Sequence, residues 1–251
     1  MNKALKGNYQ EILITKILNQ KKLYWDKLPF VKEGTFAIHI NSKKYGKINQ
    51  EKIHPKADIY FAEGYIPHDF LLKNDYYLNE SHVGMFGLAP IKFSGLSIKL
   101  PHSNYTIFKI SPTTFNKIFK KNILGAGASI YCKNQEELIK NEAILSGWQV
   151  KLSDFEFYYC QKLNTNRIDL DDIETMRKIK TYSNNEIGKL IREDKVISDL
   201  IFKGIGNFEE PYTANWILEN DELKKNYYIP FNITTGSGRR KEIFTIVLKP
   251  K

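Results

Sequence analysis

The chain has 251 residues, enough for one large domain or two small ones, and 42% of them are hydrophobic, which argues against a disordered polypeptide. Lys and Arg outnumber Asp and Glu by 38 to 28, a formal charge of +10 that favours polyanionic partners such as nucleic acid. No run of apolar residues is long enough to span a bilayer, and no apolar core follows the basic N-terminus. The expectation is therefore a cytoplasmic protein with no membrane partner.

Taken in chain order, residues 8 to 20 carry apolar side chains at helical spacing. Residues 35 to 40 (TFAIHI) and 57 to 62 (ADIYFA) read as strands. An aromatic, turn-rich segment follows from 63 to 94, then a short strand at 96 to 100 that Pro101 stops, and β character again at 105 to 110. Residues 112 to 122, 134 to 145, 171 to 180 and 184 to 202 are expected to be helical. The C-terminal stretch from 227 to 248 reads as two strands about a turn at Gly236-Ser237-Gly238. Gly84-Met85-Phe86-Gly87 and Gly125-Ala126-Gly127-Ala128 lack the Gly-Lys-Ser/Thr of a phosphate-binding loop and read as turns. The pattern predicts a mixed α/β fold with a mixed central sheet flanked by helices, in a single domain spanning 1 to 251.

Cys132 and Cys160 have no paired spacing and read as core thiols. His39, His54, His68, His82 and His102 show no ligand spacing, so zinc is not expected. Charge is unevenly distributed. Residues 223 to 251 hold seven basic residues against the single acid Glu242, after an acidic stretch that begins at Asp169.

Two short segments carry chemistry: His54-Pro55-Lys56-Ala57-Asp58-Ile59 and Gly95-Leu96-Ser97-Ile98-Lys99-Leu100. Each sets an ionisable residue among apolar neighbours on a strand, where a charge needs compensation. On adjacent strands, Asp58 and Lys99 would compensate each other. The bland alternatives are a salt-bridged Asp58 and a Lys99 that extends to solvent along a sheet edge.

Pro55-x-x-Asp58 followed by Ser97-Ile98-Lys99 resembles the signature of the PD-(D/E)XK nucleases, with Ser97 where an acid is usual. Gly7-x-x-x-Glu11, expected to open the first helix, and Phe231 to Gly238 followed by Arg239, Arg240 and Lys241, are similar to elements of the small MspI-like restriction enzymes. Residues 111 to 226 match nothing in that group. The resemblance implies a restriction-endonuclease-like core and a type II restriction endonuclease that cuts duplex DNA at a short site with Mg²⁺. It makes Asp58 the main Mg²⁺ ligand, with Ser97 and the carbonyl of Ile98 as supporting oxygens. Glu11 would orient a water, and Lys99 would contact the scissile phosphate. DNA contacts are expected from Lys56, His102, Ser103, Asn104, Tyr105 and Lys109, and from Ser237, Arg239, Arg240 and Lys241. Arg and Asn suit base edges, and Lys suits phosphates. A cognate DNA methyltransferase belongs to such a system, and both monomer and homodimer stay open. The alternatives are a repair or junction-resolving nuclease and a noncatalytic DNA-binding protein.

Overall fold

The computed structural model describes residues 3–40, 47–48, 51–52, 54–99, 105–130, 132, 141–205, 211–225, 227–236 and 244–251. The chain divides into two compact units, one formed by 1–103 with 202–228 and the other by 104–201 with 229–251.

The first unit begins with helix α1 (Lys3–Lys21) and strand β1 (Thr35–His39). Three two-residue strands follow, β2 (Lys47–Ile48), β3 (Glu51–Lys52) and β4 (His54–Pro55). Then come β5 (Ile59–Glu63), helices α2 (His68–Lys73) and α3 (Glu80–Phe86), β6 (Ala89–Pro90) and β7 (Leu96–Lys99). The chain returns to this unit for β9 (Gly204–Ile205), β10 (Trp216–Glu219) and β11 (Glu222–Lys225). The main sheet runs in the order β1-β5-β7-β10-β11, with β6 beside β5. It is mixed: β7 and β10 are parallel, and the other pairs are antiparallel.

The alternation of β1 and β5 explains why both faces of this sheet are covered. Ala37, Ile59, Phe61, Leu96 and Trp216 point to one side, where Ile14 and Leu18 of α1 pack on them. Ile38, Tyr60 and Ala62 point to the other, against Phe70, Leu71, Val83 and Phe86 of α2 and α3. Ile59 and Phe61 are fully buried, and such side chains each stabilise the fold by roughly 1.5–3 kcal/mol. The sheet edge at β1 is closed by a side chain. Asn19 of α1 accepts from the Ala37 N–H at 2.7 Å and donates to the Ala37 carbonyl at 2.9 Å and the Tyr76 carbonyl at 3.0 Å.

The second unit holds β8 (Phe108–Ile110), α4 (Pro112–Phe119), α5 (Asn122–Ser129), α6 (Asn141–Gly147), α7 (Leu152–Leu163), α8 (Ile173–Glu193) and most of α9 (Lys195–Phe202). It ends with β12 (Phe231–Gly236) and β13 (Thr245–Pro250), which with β8 form an antiparallel sheet in the order β12-β13-β8.

Several sequence expectations need correction. The segment 125–128 is not a turn but the buried middle of α5. A Cβ on Gly125 would lie 2.1 Å from the Trp148 ring, and one on Gly127 would lie 2.1 Å from the Tyr159 hydroxyl, so small residues let the helix sit there. Residues 84–86 likewise end α3, and Gly87 caps it in the left-handed conformation. The expected break near 180–184 is absent, because Ser183 is buried with its hydroxyl bonded to the Ile179 carbonyl and to Tyr159. The chain breaks at Asp194 instead, whose carboxylate accepts the Val196 and Ile197 N–H groups. The expected helix over 134–145 lies outside the described residues up to 140, and α6 runs from 141 to 147. Among the described residues, no helix is long and apolar enough to cross a membrane.

Candidate functional site

Asp58 sits one residue before β5, and its backbone is held on both sides. Its N–H donates to the Leu96 carbonyl at 2.8 Å, and its carbonyl accepts from Ile40 at 2.9 Å. That fixes where the side chain emerges. Oδ2 accepts the Ile98 N–H at 2.7 Å and the Ser97 hydroxyl at 3.2 Å. Lys99 and Ser97 lie two residues apart on β7 and so share a face, and the Lys99 ammonium donates to the Ser97 hydroxyl at 2.8 Å. One hydroxyl thus links the two halves of the sequence motif, Lys99 to Ser97 to Asp58. Ser97 is 1% exposed, which leaves this polar chain as the company of its hydroxyl.

Burial raises the Asp58 carboxyl above the ordinary aspartate value. The Lys99 charge opposes that rise, the Glu11 charge adds to it, and the Ile98 and Ser97 hydrogen bonds oppose it. Lys56, two residues earlier, is pushed down to about 7 by burial and by the Lys99 charge, with Asp58 acting against both. Two carboxylates and two lysines are therefore within electrostatic reach of one another, all in the first unit.

Glu11 belongs to this cluster because of where α1 lies. Ile14 and Leu18 set the inner face of the helix on the sheet, and Glu11 extends that face to the end of β1. The helix starts at Lys3, so Gly7 and Glu11 lie within it and do not open it, and Glu11 is too far from the N-terminus for the macrodipole to explain an acid there. Its Oε2 lies 3.3 Å from His39 Nε2, and His39 Nδ1 lies 2.8 Å from the Tyr77 hydroxyl.

His39 and Tyr77 were not singled out from the sequence. His39 carried the same signal as Asp58, an ionisable residue ending an apolar strand, and a search confined to zinc spacing passes over it. The structure brings together Glu11, Lys56, Asp58, Ser97, Ile98 and Lys99. Tyr105 and Lys109 lie in the second unit, with Lys109 exposed on β8. His102, Ser103, Asn104, Ser237, Arg239, Arg240 and Lys241 lie outside the described residues.

Among the described residues, no group of three or more His, Cys, Asp or Glu side chains is gathered as for a metal. The donor set still suits one hard divalent ion that keeps most of its water. Such ions are commonly held by one or two carboxylates, and Asp58 Oδ1 accepts no hydrogen bond among the described residues. No protein family, no curated protein and no solved structure matches this chain.

Proposed function

We propose that this chain is a divalent-metal-dependent endonuclease of the PD-(D/E)XK type that hydrolyses phosphodiester bonds of duplex DNA. The observation that carries the reading is the Lys99–Ser97–Asp58 hydrogen-bond chain at the meeting of β5 and β7. The resemblance requires an Asp strand beside an x-x-Lys strand, and chance pairing of two such tripeptides has no reason to place them on neighbouring strands. The net charge of +10 is in keeping with a polyanionic substrate.

Asp58 and Glu11 would hold Mg²⁺, with Ser97 and the Ile98 carbonyl as neutral oxygens beside them. The ion would supply positive charge that neutralises the phosphate oxygens, whose repulsion otherwise blocks attack. Lys99 carries a second positive charge to the same place. When a phosphate enters, its ammonium turns from the Ser97 hydroxyl to a non-bridging oxygen and stabilises the charge that grows there in the transition state. The Glu11 oxygen that His39 does not hold accepts a hydrogen bond from the attacking water. That water gives up a proton by way of the Glu11 carboxylate to solvent as its oxygen forms a new P–O bond, one ester P–O bond breaks, and the leaving oxygen takes a proton from solvent. Lys56, able to regain its proton beside an anion, adds a phosphate contact. Cleavage at a short specific site, with a partner methyltransferase, is the form of this activity that the resemblance favours.

The test is cleavage of supercoiled plasmid and of a four-way junction by the purified chain, with Mg²⁺ or Mn²⁺ and with EDTA. Plasmid cutting at discrete sites is expected. Asp58→Ala and Lys99→Ala should each lower the rate by at least about 10²-fold while retaining DNA on a filter. Cutting of the junction alone would replace the restriction reading with junction resolution. DNA retention without cutting in any metal would make the chain a binding protein, and wild-type rates in either variant would refute the site.

A further inference from the structure

The Glu11 side chain is 29% exposed and has a route to water, so burial alone does not fix its direction. What does fix it is a line of hydrogen bonds whose polarity can be read from the carboxylate itself. A carboxylate only accepts, so the imidazole nitrogen that faces it, Nε2, is the one that donates. A neutral imidazole with its hydrogen at Nε2 accepts at Nδ1, and the Tyr77 hydroxyl 2.8 Å away is its donor. Every donor then meets an acceptor from Tyr77 to Glu11. The ring cannot swing away, since its side chain is 6% exposed and the His39 backbone N–H is tied to the Leu78 carbonyl at 2.9 Å.

We propose that Tyr77 and His39 form a one-way hydrogen-bond relay that holds the Glu11 carboxylate beside Asp58, which makes His39 and Tyr77 positioning residues for a two-carboxylate cation site. This rests on the metal-dependent reading above and deepens it. Where the usual motif draws its second acid from the lysine strand, this chain has Ser97 there, already committed between Asp58 and Lys99. The second carboxylate comes from α1, and the relay gives it the fixed direction that a strand position would have given.

Mn²⁺ titrated into the full chain without DNA, followed by the loss of its free electron-spin signal, tests this without reference to cleavage. Tyr77→Phe removes one oxygen and should weaken Mn²⁺ binding about tenfold, as loss of a group that orients a ligand does. Glu11→Gln should weaken it at least as much, and Tyr77→Phe added to Glu11→Gln should change nothing further. His39→Gln, which keeps an N–H donor, should bind between the wild type and Glu11→Gln, and it carries the same cycle if Tyr77→Phe does not fold. Wild-type affinity in a folded Tyr77→Phe or His39→Gln chain, or equal losses with and without Glu11, overturns the relay while leaving the cation site standing. A wild-type chain that binds Mn²⁺ no better than Asp58→Ala overturns both.

Discussion

Lys56 gives the sharpest test of the electrostatics of the site. In the folded chain its ammonium titrates at about 7, against an ordinary 10.5, because burial and the neighbouring Lys99 charge both disfavour the protonated form. The gap is worth about 5 kcal/mol as an upper figure. Between the two values the unfolded chain binds a proton that the folded chain does not, so this group makes stability rise with pH through that window. Below about pH 7 both states are protonated, and its contribution is a flat penalty. Lys56→Met keeps the length of the stem and removes the charge. It should stabilise the protein at pH 6.5, and the advantage should shrink by about 2–3 kcal/mol as the pH is raised from 7 to 9. Urea unfolding of both chains at half-unit pH steps measures the difference, and stopping at pH 9 avoids the tyrosines Tyr60, Tyr158 and Tyr159, all raised by burial. A difference in unfolding free energy that stays constant from pH 6.5 to 9 would show that Lys56 is solvated and would refute the reasoning.

Two further outcomes follow from the geometry around β7. A Cβ on Gly95 would lie 2.0 Å from the Thr213 carbonyl oxygen and 2.3 Å from that of Pro211, both backbone atoms that cannot step aside cheaply. Gly95→Ala should therefore cost about 3 kcal/mol and lower the melting temperature by roughly 6–12 °C, and an unchanged melt would contradict this packing. Ser97→Asp replaces a donor to Asp58 with a third carboxylate in a buried position, so the metal-free protein should lose about 1–3 kcal/mol, with Mn²⁺ restoring more stability than it gives the wild type. Identical melts of the variant with and without Mn²⁺ would remove Ser97 from the neighbourhood of a cation.

Asp58 and Lys99 were legible because an ionisable side chain inside a short apolar strand is expensive, and the expense itself marks the position. The mixed sheet flanked by helices was legible for a related reason, since Phe36, Ala37 and Ile38 of β1 and Ile59 to Ala62 of β5 are unbroken apolar runs. What hid from the sequence was set by distant partners. α2 and α3 are six and seven residues long and hold their place by packing on Tyr60 and Ala62, with little periodicity of their own. α5 looks like a glycine-rich turn until Trp148 and Tyr159 are seen against it. The hairpin of β10 and β11 was missed because β11 is a charged edge strand, Glu-Leu-Lys-Lys, although Asn220 and Asp221 both take the positive φ of a tight hairpin turn. The surroundings of Glu11 were hidden as well, since His39 and Tyr77 lie 28 and 66 positions further along the chain.

The parallel pairing of β7 with β10 also sets an order of events during synthesis. Leu96 and its partner Trp216 are about 120 residues apart, and at a ribosomal rate of roughly 5–20 residues per second β10 emerges some 6–24 seconds after β7. Through that interval the strand bearing Ser97 and Lys99 has an open side that any other extended chain could occupy. A nascent chain stalled anywhere between Lys99 and Trp216 presents both halves of the motif on an unfinished sheet. It should be the form most prone to aggregate and most dependent on chaperones.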